Sequence, residues 1–204
     1  IQDPDVLTPK TVAELKKIGP IGCRDWTTVY RLRDYGVPAF FSGCVTTTVG
    51  QVLPKAKLAG KVPRLAVVEA KVPFLKYLLW WKKRFIQIGE HVRAFSLVEG
   101  IEDARTMLAE YAGYGHVITK RLHCYLPARS MGLPVEFVPS KRSDVRFEGL
   151  LDLNEADFNK IRTGIEHKLE VVISNILAGK SHEEVMAIWR DLVAPDRKST
   201  RLNS

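Results

Sequence analysis

The chain has 204 residues, 46% hydrophobic and 26% charged, with 14 glycines and 11 prolines. That composition excludes disorder and collagen-like repeats and fits one large domain or two small ones. Its three cysteines, Cys23, Cys44 and Cys124, are too few and too unevenly spaced for a disulfide framework or a four-ligand zinc site, which points to the reducing cytoplasm. A formal net charge of +8 calls for an anionic partner: nucleic acid, a membrane surface or an acidic small substrate.

Thr8 followed by Pro9 starts a helix that Gly19-Pro20 stops. A short strand is expected at Ile21–Cys23. From Asp25 the helical spacing of Trp26, Val29, Tyr30 and Leu32 continues to Gly36 and Pro38, and Ala39–Phe41 reads as a buried strand. Residues 50–63, with Gly, Pro and Lys and little periodicity, read as a linker and domain boundary. The order then restarts: a strand over 64–70, a short helix over 74–81, a strand at Phe85–Ile88, and an amphipathic helix at Ile101–Ala112. A strand at His116–Thr119, a helix at Leu122–Met131 closed by Gly132 and Pro134, and a strand at Val135–Val138 follow. Such alternation predicts a parallel sheet covered by helices on both faces. Phe158, Ile161, Ile165, Leu169, Val172 and Ile176 then trace one long helix, and Ser181 with Glu184 forms a capping-box start for another. No stretch reaches the roughly 18 uncharged apolar residues of a membrane span, and no leader pattern opens the chain. Because it begins at Ile1 and residues 196–204 read as a disordered, artefact-like tail, a fragment is expected.

In parallel sheets, ligands bind beyond the carboxyl ends of the strands, where helix N-termini offer free N–H groups to anions. Two strand-to-helix turns carry charge there. Arg24 leaves the strand at Ile21–Cys23, and Lys120, Arg121 and His123 crowd the turn after His116–Thr119. A guanidinium fork holds carboxylate or phosphate oxygens in a bidentate way. A histidine, with a reference pKa of about 6.5, suits general acid or base work beside it.

The stretch Ile21-Gly22-Cys23-Arg24-Asp25, with Tyr35-Gly36-Val37-Pro38-Ala39-Phe40-Phe41-Ser42-Gly43-Cys44, resembles a motif of the polysaccharide pyruvyl transferase family. The run Arg121-Leu122-His123, followed by Leu126-Pro127 and Gly132-Leu133-Pro134-Val135, is similar to that family's signature. Gly89-Glu90-His91-Val92 and Phe147-Glu148-Gly149-Leu150-Leu151 also sit where related members carry a histidine-containing strand end and a Gly-Leu-Leu turn.

The resemblance spans about residues 15–153 and implies an α/β fold of Rossmann-like parallel sheets. It implies a two-domain, glycosyltransferase-B-like architecture with the first domain incomplete. Residues 1–60 would be the remnant of that domain with its linker, and residues 61–195 the second domain with its C-terminal helices. It implies transfer of a pyruvyl group from phosphoenolpyruvate to a sugar of a cell-surface polysaccharide or its lipid-linked precursor, forming a ketal. Arg24, Arg121, Leu122 and His123 would contact phosphoenolpyruvate, with His123 as general acid and Arg24 beside it in catalysis. No metal or organic cofactor enters the scheme. The sequence departs from the family pattern in lacking the glycine-rich start of the first domain and in carrying Lys120 where a small hydroxyl residue is common.

His91 and Lys120 are further candidates to line the cleft. Cys124 reads as a small buried hydrophobe rather than a nucleophile. The aromatic and basic run from Phe74 to Arg84 would suit peripheral contact with the inner face of a membrane, its alternative being a helix packed on the sheet. Lys141, Arg142 and Arg146 read as a solvated loop. A nucleotide-sugar-dependent glycosyltransferase of similar fold is the main rival. A nucleic-acid binder ranks below it, since no nucleic-acid motif is present.

Overall fold

The computed structural model describes residues 4–53, 65–70, 85–88 and 96–198. In chain order the elements are α1 (Pro9–Ile18), β1 (Ile21–Cys23), α2 (Trp26–Asp34), β2 (Ala39–Phe41), α3 (Val49–Val52), β3 (Leu65–Val68) and β4 (Phe85–Ile88). There follow α4 (Leu97–Ala112), β5 (His116–Thr119), α5 (Leu122–Ser130), β6 (Val135–Phe137), α6 (Glu155–Leu177), α7 (His182–Leu192) and α8 (Ala194–Lys198). Helices and two small parallel sheets make this an α/β protein. The chain divides into two compact units: residues 1–45 with 143–204, and residues 46–142.

The first unit starts where its caps dictate. The Thr8 hydroxyl accepts the Thr11 amide at 3.2 Å, and Asp25 accepts the Thr28 amide at 2.7 Å, each closing off orphan donors of a first helical turn. Strands β1 and β2 pair in parallel, Ile21 opposite Ala39 and Cys23 opposite Phe41. Gly36, at φ +69°, turns the chain between α2 and β2, a conformation that costs any residue with a Cβ. Val12, Val29, Leu32, Val37 and Ala39 form the buried core of this layer.

The C-terminal helices complete this same unit. The Trp189 indole N–H donates to the Pro20 carbonyl at 2.9 Å, and its ring lies against Phe40 with centroids 5.8 Å apart. At Gly43 a Cβ would fall 2.4 Å from Ile161 Cγ2, so only glycine admits α6 at that distance. The C-terminal helices thus group with residues 1–45, where the sequence reading expected a division near residue 60 with those helices in the second domain. An amphipathic stripe states that a helix buries a face, not which core receives it. Trp189→Phe is expected to destabilise the first unit by about 1–2 kcal/mol, through the lost hydrogen bond and the orphaned Pro20 carbonyl. Denaturant titration followed by far-ultraviolet circular dichroism measures it.

The second unit is built on a four-stranded sheet of order β4-β3-β5-β6, parallel throughout. On one face Ala66, Val68 and Val117 pack with Tyr111, Cys124 and Ala128, all essentially inaccessible. On the other, Leu65, Val67 and Ile118 are also buried. Burial on both faces is why β3 reads as a continuous apolar run rather than an alternating one. Ser130, at the end of α5, donates to the Thr47 carbonyl and accepts the Gly50 amide at 2.8 Å, tying α3 to α5.

Two expected boundaries shift. The linker read over residues 50–63 begins inside α3, and residues 54–64 lie outside the described residues. Helix α4 starts at Leu97, four residues before the first expected position, because Ser96 accepts the Glu99 amide at 3.2 Å. The helix expected over residues 74–81 lies outside the described residues. Among the described residues no helix is long and apolar enough to cross a membrane.

Candidate functional site

The strand order fixes where a ligand would find an opening. The chain leaves β3 for β4 on one side of it and leaves β5 for β6 on the other. The exits at the carboxyl ends of the adjacent strands β3 and β5 therefore diverge, which is the switch point at which open parallel sheets bind ligands. Glu69 follows β3 directly, and Lys120 and Arg121 follow β5.

These three side chains converge. Arg121 Nε donates to Glu69 Oε2 at 2.9 Å, and an Arg121 terminal nitrogen donates to Oε1, a fork-to-carboxylate pair. Lys120 Nζ lies 3.4 Å from Glu69 Oε2. The Glu69 backbone is left-handed, at φ +50°. A non-glycine residue pays about 1–3 kcal/mol for such a conformation, and such outliers gather at functional sites. The Arg121 hydrogen bonds hold the Glu69 carboxyl below the usual carboxylate range, ahead of an opposing push from burial and the added charges of Arg121 and Lys120. Since the folded value lies under the unfolded one of about 4.3, the pair's stabilisation is complete above that pH and fades as pH falls through the lowered value. At neutral pH Glu69 is ionised and occupies the guanidinium fork.

The turn itself is set by Thr119, fully buried, whose hydroxyl accepts the Arg121 amide at 2.9 Å. Arg121 is the N-cap of α5 and makes no side-chain cap. The positive end of the α5 dipole thus lies at the carboxyl end of the sheet. His123 lies in that first turn and is exposed. Leu122 is 7% exposed, so its side chain serves the core.

Arg24 belongs to the first unit. It is half-buried at the end of β1 and lines a cavity of about 320 Å³ with Gly22, Cys23 and Asp25. The Asp25 carboxylate is spent on α2, accepting from both the amide and the hydroxyl of Thr28. Burial, and then the Asp25 charge, push the Cys23 thiol up to about 11, which keeps it protonated and poor as a nucleophile. Among the described residues, then, Lys120, Arg121, His123 and Glu69 share one strand-end region of the second unit, whereas Arg24 stands in the first unit. His91 lies outside the described residues. Arg146 pairs with Asp144, its Nε 2.9 Å from Oδ1. No group of three or more His, Cys, Asp or Glu suited to a metal ion occurs among the described residues.

Glu69 is the residue that sequence reading passed over. Its signal was a single acid directly after an all-apolar strand, and its partner stands 52 positions away. Glu69→Gln removes a negative charge that a small anion must displace from Arg121. Affinity for inorganic phosphate, measured calorimetrically, is expected to rise about threefold, within the ~1 kcal/mol scale of exposed ion pairs. A fall in affinity would give Glu69 the opposite role of holding Arg121 ready.

Comparisons with family models, with curated proteins and with solved structures find no match to this chain.

Proposed function

We propose that the switch point of the second unit binds phosphoenolpyruvate and that the protein transfers its pyruvyl group to a saccharide, as the sequence resemblance to polysaccharide pyruvyl transferases implies. The observation that carries the reading is the solvent-facing Arg121 guanidinium, paired with Glu69 and with Lys120 beside it, at the start of α5. Phosphoenolpyruvate carries a carboxylate and a phosphate on a small frame. One guanidinium, one ammonium and a helix N-terminus match that charge without any apolar contact.

In this scheme His123 gives a proton to the methylene carbon, turning the double bond into a methyl group and leaving C2 electrophilic. One acceptor hydroxyl adds at C2, phosphate departs with its electron pair, and a second hydroxyl closes the ketal. Of the two hydroxyl protons, one returns to His123 and the other leaves on the phosphate. Lys120 and Arg121 stabilise the departing dianion. Glu69, ionised and hydrogen-bonded to Arg121, must yield one or both contacts as the ligand enters.

Calorimetric titration with phosphoenolpyruvate, UDP-sugar and inorganic phosphate tests the proposal. Phosphoenolpyruvate is expected to bind in preference to the others. Arg121→Ala is expected to weaken it at least tenfold, the scale of a lost charge-assisted pair of about 1.5–3 kcal/mol. Preference for UDP-sugar would move the assignment to a nucleotide-sugar glycosyltransferase. Equal binding by Arg121→Ala would remove the site.

A further inference from the structure

The first unit holds a larger cavity, of about 630 Å³, within the size range of small-molecule sites. One wall is aromatic: Trp26 and Phe41 lie stacked, centroids 5.1 Å apart and planes 8° from parallel. Gly149, at φ +85°, brings backbone against both rings, since a Cβ there would come 2.8 Å from Phe41 and 2.9 Å from Trp26. Across from them α6 contributes Asp157 and Lys160, and an ion pair between Lys168 and Asp196, 2.9 Å long, lies further along the lining. The lining charges cancel.

The decisive residue is Gly164. It lies inside the 23-residue helix α6 and has no positive φ to accommodate. A Cβ there would meet only the Lys168 ammonium, at 3.6 Å. Neither backbone geometry nor packing calls for glycine, which costs a helix interior about 1 kcal/mol relative to alanine. What glycine leaves at this position is open volume in the cavity wall.

We infer that this cavity binds a neutral saccharide ring. A sugar offers a C–H face that rests on an aromatic plane and a rim of hydroxyls that both donate and accept. Asp157 supplies an acceptor and Lys160 donors, and the Ser42 hydroxyl, whose hydrogen goes to the Cys23 or Gly43 carbonyl, accepts. An anionic ligand gains no net attraction from walls whose charges cancel, and a purely apolar ligand would strand the carboxylate and the ammonium. In the proposed transfer this is the acceptor's pocket. It rests on that reading for its role but not for its binding, which needs no phosphoenolpyruvate.

The experiment is saturation-transfer nuclear magnetic resonance on the full chain without phosphoenolpyruvate. The probes are the methyl glycosides of galactose, glucose, mannose and N-acetylglucosamine, with adenosine as the competing planar ligand. Transfer to the ring C–H protons of at least one glycoside is expected in the native protein and is expected to vanish in Gly164→Leu. That variant fills the cavity while favouring the helix, so its circular dichroism melt should not fall. Trp26→Leu disturbs the aromatic wall, in which the Trp26 ring is stacked between Phe41 and Tyr30. No transfer to any glycoside, transfer that survives Gly164→Leu, or preference for adenosine overturns the inference. A protein that binds phosphoenolpyruvate but no glycoside loses this pocket and keeps the proposed donor site; the reverse result does the opposite.

Discussion

His123→Ala is expected to lower pyruvyl transfer by about 10²- to 10⁴-fold, the range for loss of a positioned general acid. Phosphoenolpyruvate affinity should change little, because the proposed scheme has the anion held by Arg121, Lys120 and the α5 N-terminus rather than by the imidazole. The side chain is exposed in the first turn of α5, so alanine costs the fold little. Phosphate release from phosphoenolpyruvate, followed in the presence and absence of a saccharide acceptor, reads the rate, and calorimetry reads the affinity. An unchanged rate would take His123 out of the mechanism. A parallel loss of rate and affinity would make it a ligand of the substrate rather than a proton donor.

Gly50→Ala is expected to have the largest effect on stability. A Cβ at residue 50 would sit 2.1 Å from the Ser130 carbonyl oxygen and 2.6 Å from its carbon, both backbone atoms. The obstacle is not the tip of a flexible side chain. Relief requires α3 to part from α5, which breaks the Gly50 amide's bond to Ser130 Oγ and strains the one from Ser130 to the Thr47 carbonyl. Both are polar groups that burial makes expensive to strand. The expected loss is about 3 kcal/mol, at the upper end of overpacking costs, or roughly 6–12 °C in melting temperature. Differential scanning calorimetry reads it directly. A melt within a degree or two of the native protein would mean that α3 moves away at little cost.

Local chemistry was legible in the sequence where one residue decides the outcome. Thr8, Asp25 and Ser181 each cap the helix that their position announces, and Ser181 with Glu184 forms the reciprocal box. The strand at 65–68 was legible because burial on two faces demands an unbroken apolar run. The start of α4 was not, although Leu97 lies one turn before Ile101, where the helix was expected to begin. The Ser96-Leu97-Val98-Glu99 spacing that does start it is a capping signal and not a hydrophobic one. Lys120, Arg121 and His123 stood out as charge at a strand-to-helix turn. Glu69 did not, because its meaning comes from pairing β3 with β5, a long-range event that no window along the chain contains. The assembly of the first unit from both ends of the chain was hidden for the same reason. Trp189 meets Pro20 across 169 positions, and nothing near either residue names the other.

That discontinuity gives the two units different histories on the ribosome. Residues 46–142 emerge as one uninterrupted stretch and have every strand of their sheet once β6 is out. The β1–α2–β2 layer is made earlier yet must wait for α6, α7 and α8, translated after β6, before Phe40 and Gly43 gain their cover. Between the two units synthesis order and completion order are thus reversed, and β1 and β2 wait longer for cover than the strands of the four-stranded sheet. A nonsense codon shortly after residue 142 would spare the sheet that carries Arg121 while denying the older layer its closing helices.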